Sequence, residues 1–252
     1  MSITGKELFR THDEYGAIQV IDDGNKRYLA FSEGDEQSCM LKSEPAQLQH
    51  DYTQAMLLVL LFNQPQQTTL FGLGGGCLAS CLHHHLPDIQ LEVIELRAAV
   101  IQIAQRYFQL PKSERLSIIN ADVRDWFSRE DNSKSEILFS DIYLGDGVDS
   151  QQLQPSFVDQ CYAQLTDNGW LVLNCWKEHR SETFMLDTIK AYFTDVRICT
   201  TQSGNWIIFA GKKQNLDSKK QLMAKSRTWS QKLGFSLQPS LNRLVKCEQY
   251  SG

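Results

Sequence analysis

A glycine-rich segment stands between a predicted strand and a predicted helix, where the backbone itself could contact a ligand. The segment LFGLGGGC covers residues 70–77 and places Gly72, Gly74 and Gly76 in a Gly-x-Gly-x-Gly pattern. Glycines permit a tight turn and let a ligand lie against the backbone, and the following helix N-terminus offers free N–H groups. The pattern departs from the dinucleotide fingerprint Gly-x-Gly-x-x-Gly, because Cys77 stands at its third glycine position counted from Gly72. It indicates either a ligand-binding loop or only a tight turn.

Acidic residues follow the next two predicted strands. Glu95 ends the first of them and lies 19 residues after Gly76. A carboxylate at that position can accept hydrogen bonds from both hydroxyls of a ribose. Asp122 follows the other strand, where it can accept from an exocyclic amine such as that of adenine. Because ligands of open α/β sheets lie outside the carboxyl ends of the strands, these residues predict an adenosine-type ligand.

Three carboxylates follow the fourth strand of the series. Asp141 directly ends that strand, and Asp146 and Asp149 follow within nine residues. Such a cluster suits a cationic substrate or a proton acceptor. The Asp-Gly pair at 146–147 also favours a turn, so Asp141 is the carboxylate that we expect in the cleft.

These residues must be positioned by strands that alternate with helices. Short apolar strands are predicted at 68–73, 91–95, 116–120, 137–142, 170–174, 196–200 and 206–210. Helical stretches are predicted at 45–63, 78–85, 98–108, 156–165, 182–193 and 216–233. The pattern predicts an α/β fold: a Rossmann-like, seven-stranded, mostly parallel sheet with helices on both faces. Residues 1–45 are predicted to form a small β-hairpin domain, with strands at 15–21, 27–31 and 37–41, and residues 46–252 the catalytic domain.

Composition narrows the class of protein. The chain has 252 residues, 42% of them hydrophobic and 22% charged, as in a globular protein and unlike a disordered one. The net charge of −5 argues against nucleic-acid binding, and no apolar run approaches the length that a membrane helix requires. The seven cysteines contain no Cys-x-x-Cys pair, which favours reduced thiols and a cytoplasmic location. No metal is predicted, because the consecutive histidines at 83–85 point about 100° apart on a helix.

With these motifs the sequence resembles the polyamine aminopropyltransferases, the spermidine and spermine synthases. The resemblance covers roughly residues 15–235 and is strongest to bacterial spermidine-synthase-like proteins. It implies the class I S-adenosylmethionine-dependent methyltransferase fold and a homodimer. It also implies that the donor is decarboxylated S-adenosylmethionine, whose aminopropyl group passes to a cationic amine.

The resemblance assigns roles to individual residues. The residues expected to bind the donor are Gln37, Gly72, Gly74, Gly76, Glu95, Asp122 and Val123. Tyr52 and Asp146 are expected to bind the acceptor. Asp141 matches the carboxylate that deprotonates the attacking amine, because an alkylammonium has no lone pair until a base removes a proton.

The sequence departs from the synthases where cationic nitrogens would bind. Cys77 stands where their glycine loop has the aspartate that holds the donor's ammonium. Thr53 and Gln54 replace the histidine and glutamate after the motif tyrosine, and Asp146 is displaced by two positions. Three functions therefore stay open: an aminopropyltransferase, a methyltransferase that uses intact S-adenosylmethionine, and a nucleoside-binding homologue without catalysis.

Overall fold

The chain begins with a four-stranded antiparallel sheet. Its strands are adjacent in chain order: β1 (Lys6–Asp13), β2 (Gly16–Asp23), β3 (Lys26–Ala30) and β4 (Glu36–Leu41). The sequence predicts β2 to β4 but not β1, because β1 is polar and mostly exposed and does not alternate between buried and exposed residues.

The computed structural model describes residues 5–31, 35–144, 147–148, 154–176 and 183–247.

A larger, mostly parallel sheet forms the centre of the molecule. Its strands are β5 (Gln67–Phe71), β6 (Gln90–Glu95), β7 (Leu116–Asn120), β8 (Ser135–Ser140), β11 (Leu165–Trp176), β12 (Asp195–Thr200), β13 (Asn205–Gly211) and β14 (Leu244–Lys246). Their order is β14-β12-β13-β11-β8-β5-β6-β7. Strand β13 runs antiparallel to both neighbours, as its short connection to β12 predicts. The predicted seven-stranded, mostly parallel sheet is confirmed, and the short β14 adds an eighth strand. The small ribbon β9 (Tyr143–Leu144) and β10 (Gly147–Val148) follows β8.

Helices cover both faces of the central sheet. They are α1 (Asp51–Met56), α2 (Cys77–His85), α3 (Ala98–Tyr107), α4 (Val123–Phe127), α5 (Pro155–Gln164), α6 (Thr183–Tyr192), α7 (Lys219–Leu233) and α8 (Gln238–Arg243). The helix predicted from Pro45 begins only at Asp51, because residues 42–47 form turns and Leu48 forms an isolated bridge with Met40. A buried 3-10 turn, Leu57–Leu61, continues α1.

The core lies on the two faces of the central sheet. Consecutive residues of β8, Ile137, Leu138 and Phe139, are all 0% exposed, as expected for a parallel strand with helices on both sides. All seven cysteines are free, and six of them are buried. Within the described ranges, no helix has the length and apolar character needed to cross a membrane.

Candidate active site

The glycine loop after β5 makes close backbone contacts. Gly72 has a φ of +90°, and a Cβ there would lie 2.3 Å from the carbonyl oxygen of Asp141. Gly74 has a φ of +52°, and its Cβ would lie 2.8 Å from Ser38 Oγ, which accepts a hydrogen bond from the Gly75 N–H. Glycine is therefore needed for the loop to pack against β4 and against the chain after β8.

A cavity opens at the carboxyl ends of β5, β6 and β8, and we call it the strand-end cavity. Most of the residues predicted as site residues line it: Gln37, Tyr52, Gly72, Gly74, Glu95, Asp122, Val123 and Asp141. Gly76 lies outside this lining, where a Cβ would meet Leu110. Asp146 lies outside the described residues.

Glu95 ends β6 and is only 8% exposed. Its Oε2 accepts from the Leu73 N–H over 2.9 Å, and its Oε1 accepts from the Arg97 N–H over 2.8 Å. Burial raises the pKa of this carboxyl, and the backbone donors act against that shift. Each carboxylate oxygen has two lone pairs, so both can still accept a hydroxyl donor from a ligand in the cavity.

Arg97 is a cavity-lining residue that the sequence analysis does not single out. Its guanidinium is 3% exposed and donates to both carboxylate oxygens of Asp13 in β1, over 2.7 and 3.0 Å. It also lies 4.4 Å from the centre of the Phe31 ring. This ion pair fixes the N-terminal sheet to the loop that follows Glu95.

Asp122 is the N-cap of α4, and its side chain accepts from the Arg124 N–H over 2.8 Å. The guanidinium of Arg124 binds the same carboxylate, and this interaction lowers the pKa of Asp122. Val123 follows at the first position of the helix and also lines the cavity. An ionised acceptor and a helix N-terminus therefore stand together at this end of the cavity.

Asp141 follows β8 at the opposite end of the cavity. Its Oδ1 accepts from Asn174 Nδ2 over 2.7 Å, and the Tyr52 hydroxyl lies close enough to the same carboxylate to lower its pKa. Burial raises the pKa of Asp141, while the Asn174 hydrogen bond, nearby His50 and the nearby Tyr52 hydroxyl act in the other direction. The pKa of Tyr52 is raised well above its usual value by burial and by the carboxylate. Asp141 is thus a hydrogen-bonded carboxylate in a poorly solvated position, which is the environment of a general base.

A groove continues from the strand-end cavity past Asp141, and we call it the adjoining groove. Tyr52 and Gln37 line both spaces. In the groove, Trp176 is 47% exposed, and Glu36 Oε1 lies 2.7 Å from His50 Nε2. An elongated substrate in this groove could reach Asp141 from the side opposite the glycine loop.

The residues that replace acidic or basic positions of the synthase motifs carry no charge here. Cys77 lines the strand-end cavity, and its Sγ lies 3.5 Å from the Cys39 carbonyl oxygen. Burial raises the pKa of this thiol to about 12, so it is neutral. Thr53 Oγ1 donates to the His50 carbonyl over 2.9 Å, and Gln54 Nε2 donates to the Leu48 carbonyl over 2.8 Å. Both of those side chains satisfy local backbone groups.

Comparison with known proteins finds similar sequences among polyamine aminopropyltransferases and similar folds among spermidine synthases and methyltransferases. No protein-family model matches the chain. A polyamine aminopropyltransferase of Neisseria meningitidis is 28% identical over 218 residues, which cover 81% of each chain. A probable spermidine synthase from Corynebacterium glutamicum superposes with a TM-score of 0.74 at 17% identity, covering 91% of this chain and 88% of that one. Human methyltransferase-like protein 13, solved in complex with SAH, superposes with a TM-score of 0.63 at 20% identity, covering 73% of this chain and 91% of that one.

The fold defines the class of this protein: an α/β domain of the methyltransferase type that carries an N-terminal antiparallel sheet. Within that class the chain is spermidine synthase-like, since its curated homologues include polyamine aminopropyltransferases and its fold is that of spermidine synthases.

Proposed function

We propose that this chain is a transferase that binds an S-adenosylmethionine-type nucleoside and passes its aminopropyl group to an amine. One observation carries the proposal. The partly buried, hydrogen-bonded carboxylate of Asp141 lies in the same cavity as Glu95 and Asp122, at the junction with the adjoining groove. A base thus stands where a nucleoside in the cavity and an amine in the groove would meet.

The nucleoside is assigned to the strand-end cavity. Glu95 accepts from the ribose hydroxyls, Asp122 accepts from the exocyclic amine of adenine, and the backbone of Val123 contributes to the base site. Gln37 in β4 covers the donor from the N-terminal sheet. This assignment directs the sulfonium end of the donor toward Cys77 and Asp141.

The reaction then needs one proton acceptor. Asp141 takes a proton from the ammonium of the acceptor, which leaves a lone pair on nitrogen. That nitrogen attacks the aminopropyl carbon next to the sulfonium, a C–N bond forms, and the C–S bond breaks. The electron pair of the broken bond stays on sulfur, so methylthioadenosine leaves as a neutral thioether. Tyr52 and Asn174 hold the base in place throughout.

A second candidate function is methyl transfer from intact S-adenosylmethionine. The neutral Cys77 thiol supports it, because no carboxylate is present at that position to select a donor with a terminal ammonium. The matched fold of human methyltransferase-like protein 13 also supports it. A nucleoside-binding homologue without turnover is the third outcome that an assay must allow.

Product identity distinguishes these functions. The purified protein is incubated with decarboxylated S-adenosylmethionine or with S-adenosylmethionine, each against a panel of mono-, di- and polyamines. Release of methylthioadenosine together with an aminopropylated amine is the expected result. If S-adenosylhomocysteine is the only product, the result would favour the methyltransferase. If neither product forms with any amine, the result would favour a nucleoside-binding protein without turnover.

We also propose roles for the two parts of the chain, an oligomeric state and a cellular compartment. Residues 1–45 are assigned to donor coverage and residues 46–252 to catalysis. We propose a homodimer that works without a metal and without nucleic-acid or membrane partners. The free, mostly buried thiols support a reducing compartment, and we propose the cytoplasm.

A further inference from the structure

Two side-chain amides, those of Asn174 and Asn205, connect a surface hairpin to Asp141 through hydrogen bonds. Asn174 Nδ2 donates to Asp141 Oδ1 over 2.7 Å, and Asn205 Nδ2 donates to Asn174 Oδ1 over 3.0 Å. Asn174 is 1% exposed near the end of β11, and Asn205 begins the antiparallel neighbour β13. The two amides connect the hairpin between β12 and β13 to the carboxylate.

The same hairpin is fixed to helix α1, which carries Tyr52, the other side chain that interacts with the Asp141 carboxylate. Asp51 accepts from the backbone N–H groups of Gln202 and Ser203 over 2.9 and 3.1 Å. It also accepts from the Ser203 hydroxyl over 2.5 Å. Because Asp51 directly precedes Tyr52, both partners of the Asp141 carboxylate depend on the position of one hairpin.

The direction of each amide follows from the chemistry at its ends. A carboxylate only accepts, so Asn174 turns its NH2 group toward Asp141 and its oxygen toward Asn205. Asn205 supplies a donor to that oxygen and so holds the Asn174 amide against rotation by half a turn. A rotated amide would place its oxygen against the carboxylate and would favour the protonated form of Asp141.

We propose that Asn174 and Asn205 are positioning residues that keep Asp141 ionised and orient its carboxylate toward the acceptor amine. The inference rests on the proposed function, in which Asp141 is the base. Asn205 reaches the carboxylate through Asn174.

Other groups also face this carboxylate. The titratable groups around it are Tyr52 from α1, His50 at the N-cap of α1 and Tyr143 from β9. The test must therefore distinguish the effect of Asn174 and Asn205 on the titration of Asp141 from the effects of these neighbours.

The first measurement follows the titration of Asp141 by carboxyl carbon NMR in protein labelled at aspartate, with the resonance assigned by its loss in Asp141→Asn. Asn174→Leu preserves the size of the side chain and removes the amide. It should raise the pKa of Asp141 by about one unit or more, because a hydrogen bond to the charged form is lost. Asn205→Leu should shift the pKa in the same direction by less.

The double variant is decisive. Since Asn205 acts through Asn174, adding Asn205→Leu to Asn174→Leu should produce no further shift. A further shift in that background, or no shift in Asn174→Leu, would overturn the proposal. If Asn174→Leu does not fold, Asn205→Leu alone carries the test, and an unchanged pKa in that variant overturns it.

A control and a second readout complete the design. Asn63→Leu removes an amide that binds the backbone carbonyls of Glu136 and Asn168 near the amino ends of β8 and β11, and should leave the Asp141 titration unchanged. In the active enzyme, the acid limb of kcat/KM should move with the NMR shift while the KM for the donor stays constant. The NMR titration needs no turnover, so an inactive wild type would contradict the proposed function without deciding this inference.

Discussion

Gly72 and Asp141 are in backbone contact: a Cβ on Gly72 would lie 2.3 Å from the Asp141 carbonyl oxygen. The Asp141 N–H also donates to the Phe71 carbonyl over 2.9 Å. The glycine loop and the chain that carries the proposed base are therefore positioned by each other. Any change that separates them should affect both stability and catalysis.

Gly72→Ala tests this contact directly. Gly24 is a matched control, because it also has a positive φ but has open space at its Cβ position. Gly24→Ala should lower the free energy of unfolding by about 1–3 kcal/mol through backbone strain alone. Gly72→Ala should cost more in denaturant unfolding and should also reduce turnover. Equal losses in the two variants would contradict the contact.

Glu95→Gln should weaken nucleoside binding by about 1.5–3 kcal/mol, since hydrogen bonds from the ribose to a charged acceptor are lost. It should also destabilise the loop, because both carboxylate oxygens accept backbone N–H groups and the amide leaves one of them without an acceptor. Calorimetry with methylthioadenosine and with an analogue lacking both ribose hydroxyls separates the two effects. Only the first ligand should lose affinity.

A control for Glu95→Gln exists in the same strand. Glu92 accepts from Trp126 Nε1 over 2.7 Å and does not line the strand-end cavity. Glu92→Gln should leave nucleoside affinity unchanged. Loss of affinity for both ligands in Glu95→Gln would assign Glu95 to folding and not to ribose recognition.

Cys77→Asp should change donor preference toward decarboxylated S-adenosylmethionine by about tenfold or more, a difference of about 1.4 kcal/mol. A carboxylate at this position would pair with the donor's terminal ammonium, and Cys77 is the first residue of α2, where a negative charge is favoured. Cys77→Asn has the same shape without the charge and should show no such change. Competition between the two donors, read as product ratio, checks it. An equal change of donor preference in Cys77→Asp and Cys77→Asn would show that the effect comes from the size of the new side chain and not from its charge.

Acid stability should depend on Asp22 in the N-terminal sheet. Hydrogen bonds from Arg27 and Lys42 lower the pKa of Asp22 from 3.8 to about 2 in the folded protein. Because the pKa of Asp22 is lower in the folded protein than in the unfolded chain, ionised Asp22 stabilises the fold above pH 4. This stabilisation is lost as the pH falls toward 2. Denaturant unfolding should show Asp22→Asn less stable than wild type at pH 7, with the difference shrinking below pH 4. The exposed neighbour Asp23→Asn is the control, and a difference between wild type and Asp22→Asn that persists at pH 2 would contradict the account.

The fold could be predicted from the sequence because its main strands are continuous apolar runs that end at glycine or acidic residues. Strands β1 and β14 could not, since β1 is polar and mostly exposed and β14 has three half-buried residues. The start of α1 could not be predicted either. It depends on the bridge between Leu48 and Met40, which no local periodicity reports.

The carboxylates of the candidate site could be predicted because the topology brings successive strand ends to one edge. The residues that hold them could not. Arg97 pairs with Asp13 across 84 positions of sequence, and Asn205 pairs with Asn174 across 31. Those contacts depend on how the N-terminal sheet packs and on the register of β11 against β13, and neither is encoded in a local motif.

The central claim is that Asp141 is the base of an aminopropyl transfer, and the turnover of Asp141→Asn tests it most directly. The variant preserves the shape of the side chain but cannot take a proton from the acceptor. With decarboxylated S-adenosylmethionine and the amine that wild type uses best, methylthioadenosine release should fall by about 10²–10⁴-fold. Affinity for methylthioadenosine should stay within about twofold of wild type, as a change of about 0.4 kcal/mol or less. Turnover equal to wild type in a variant that binds the nucleoside normally would contradict the claim.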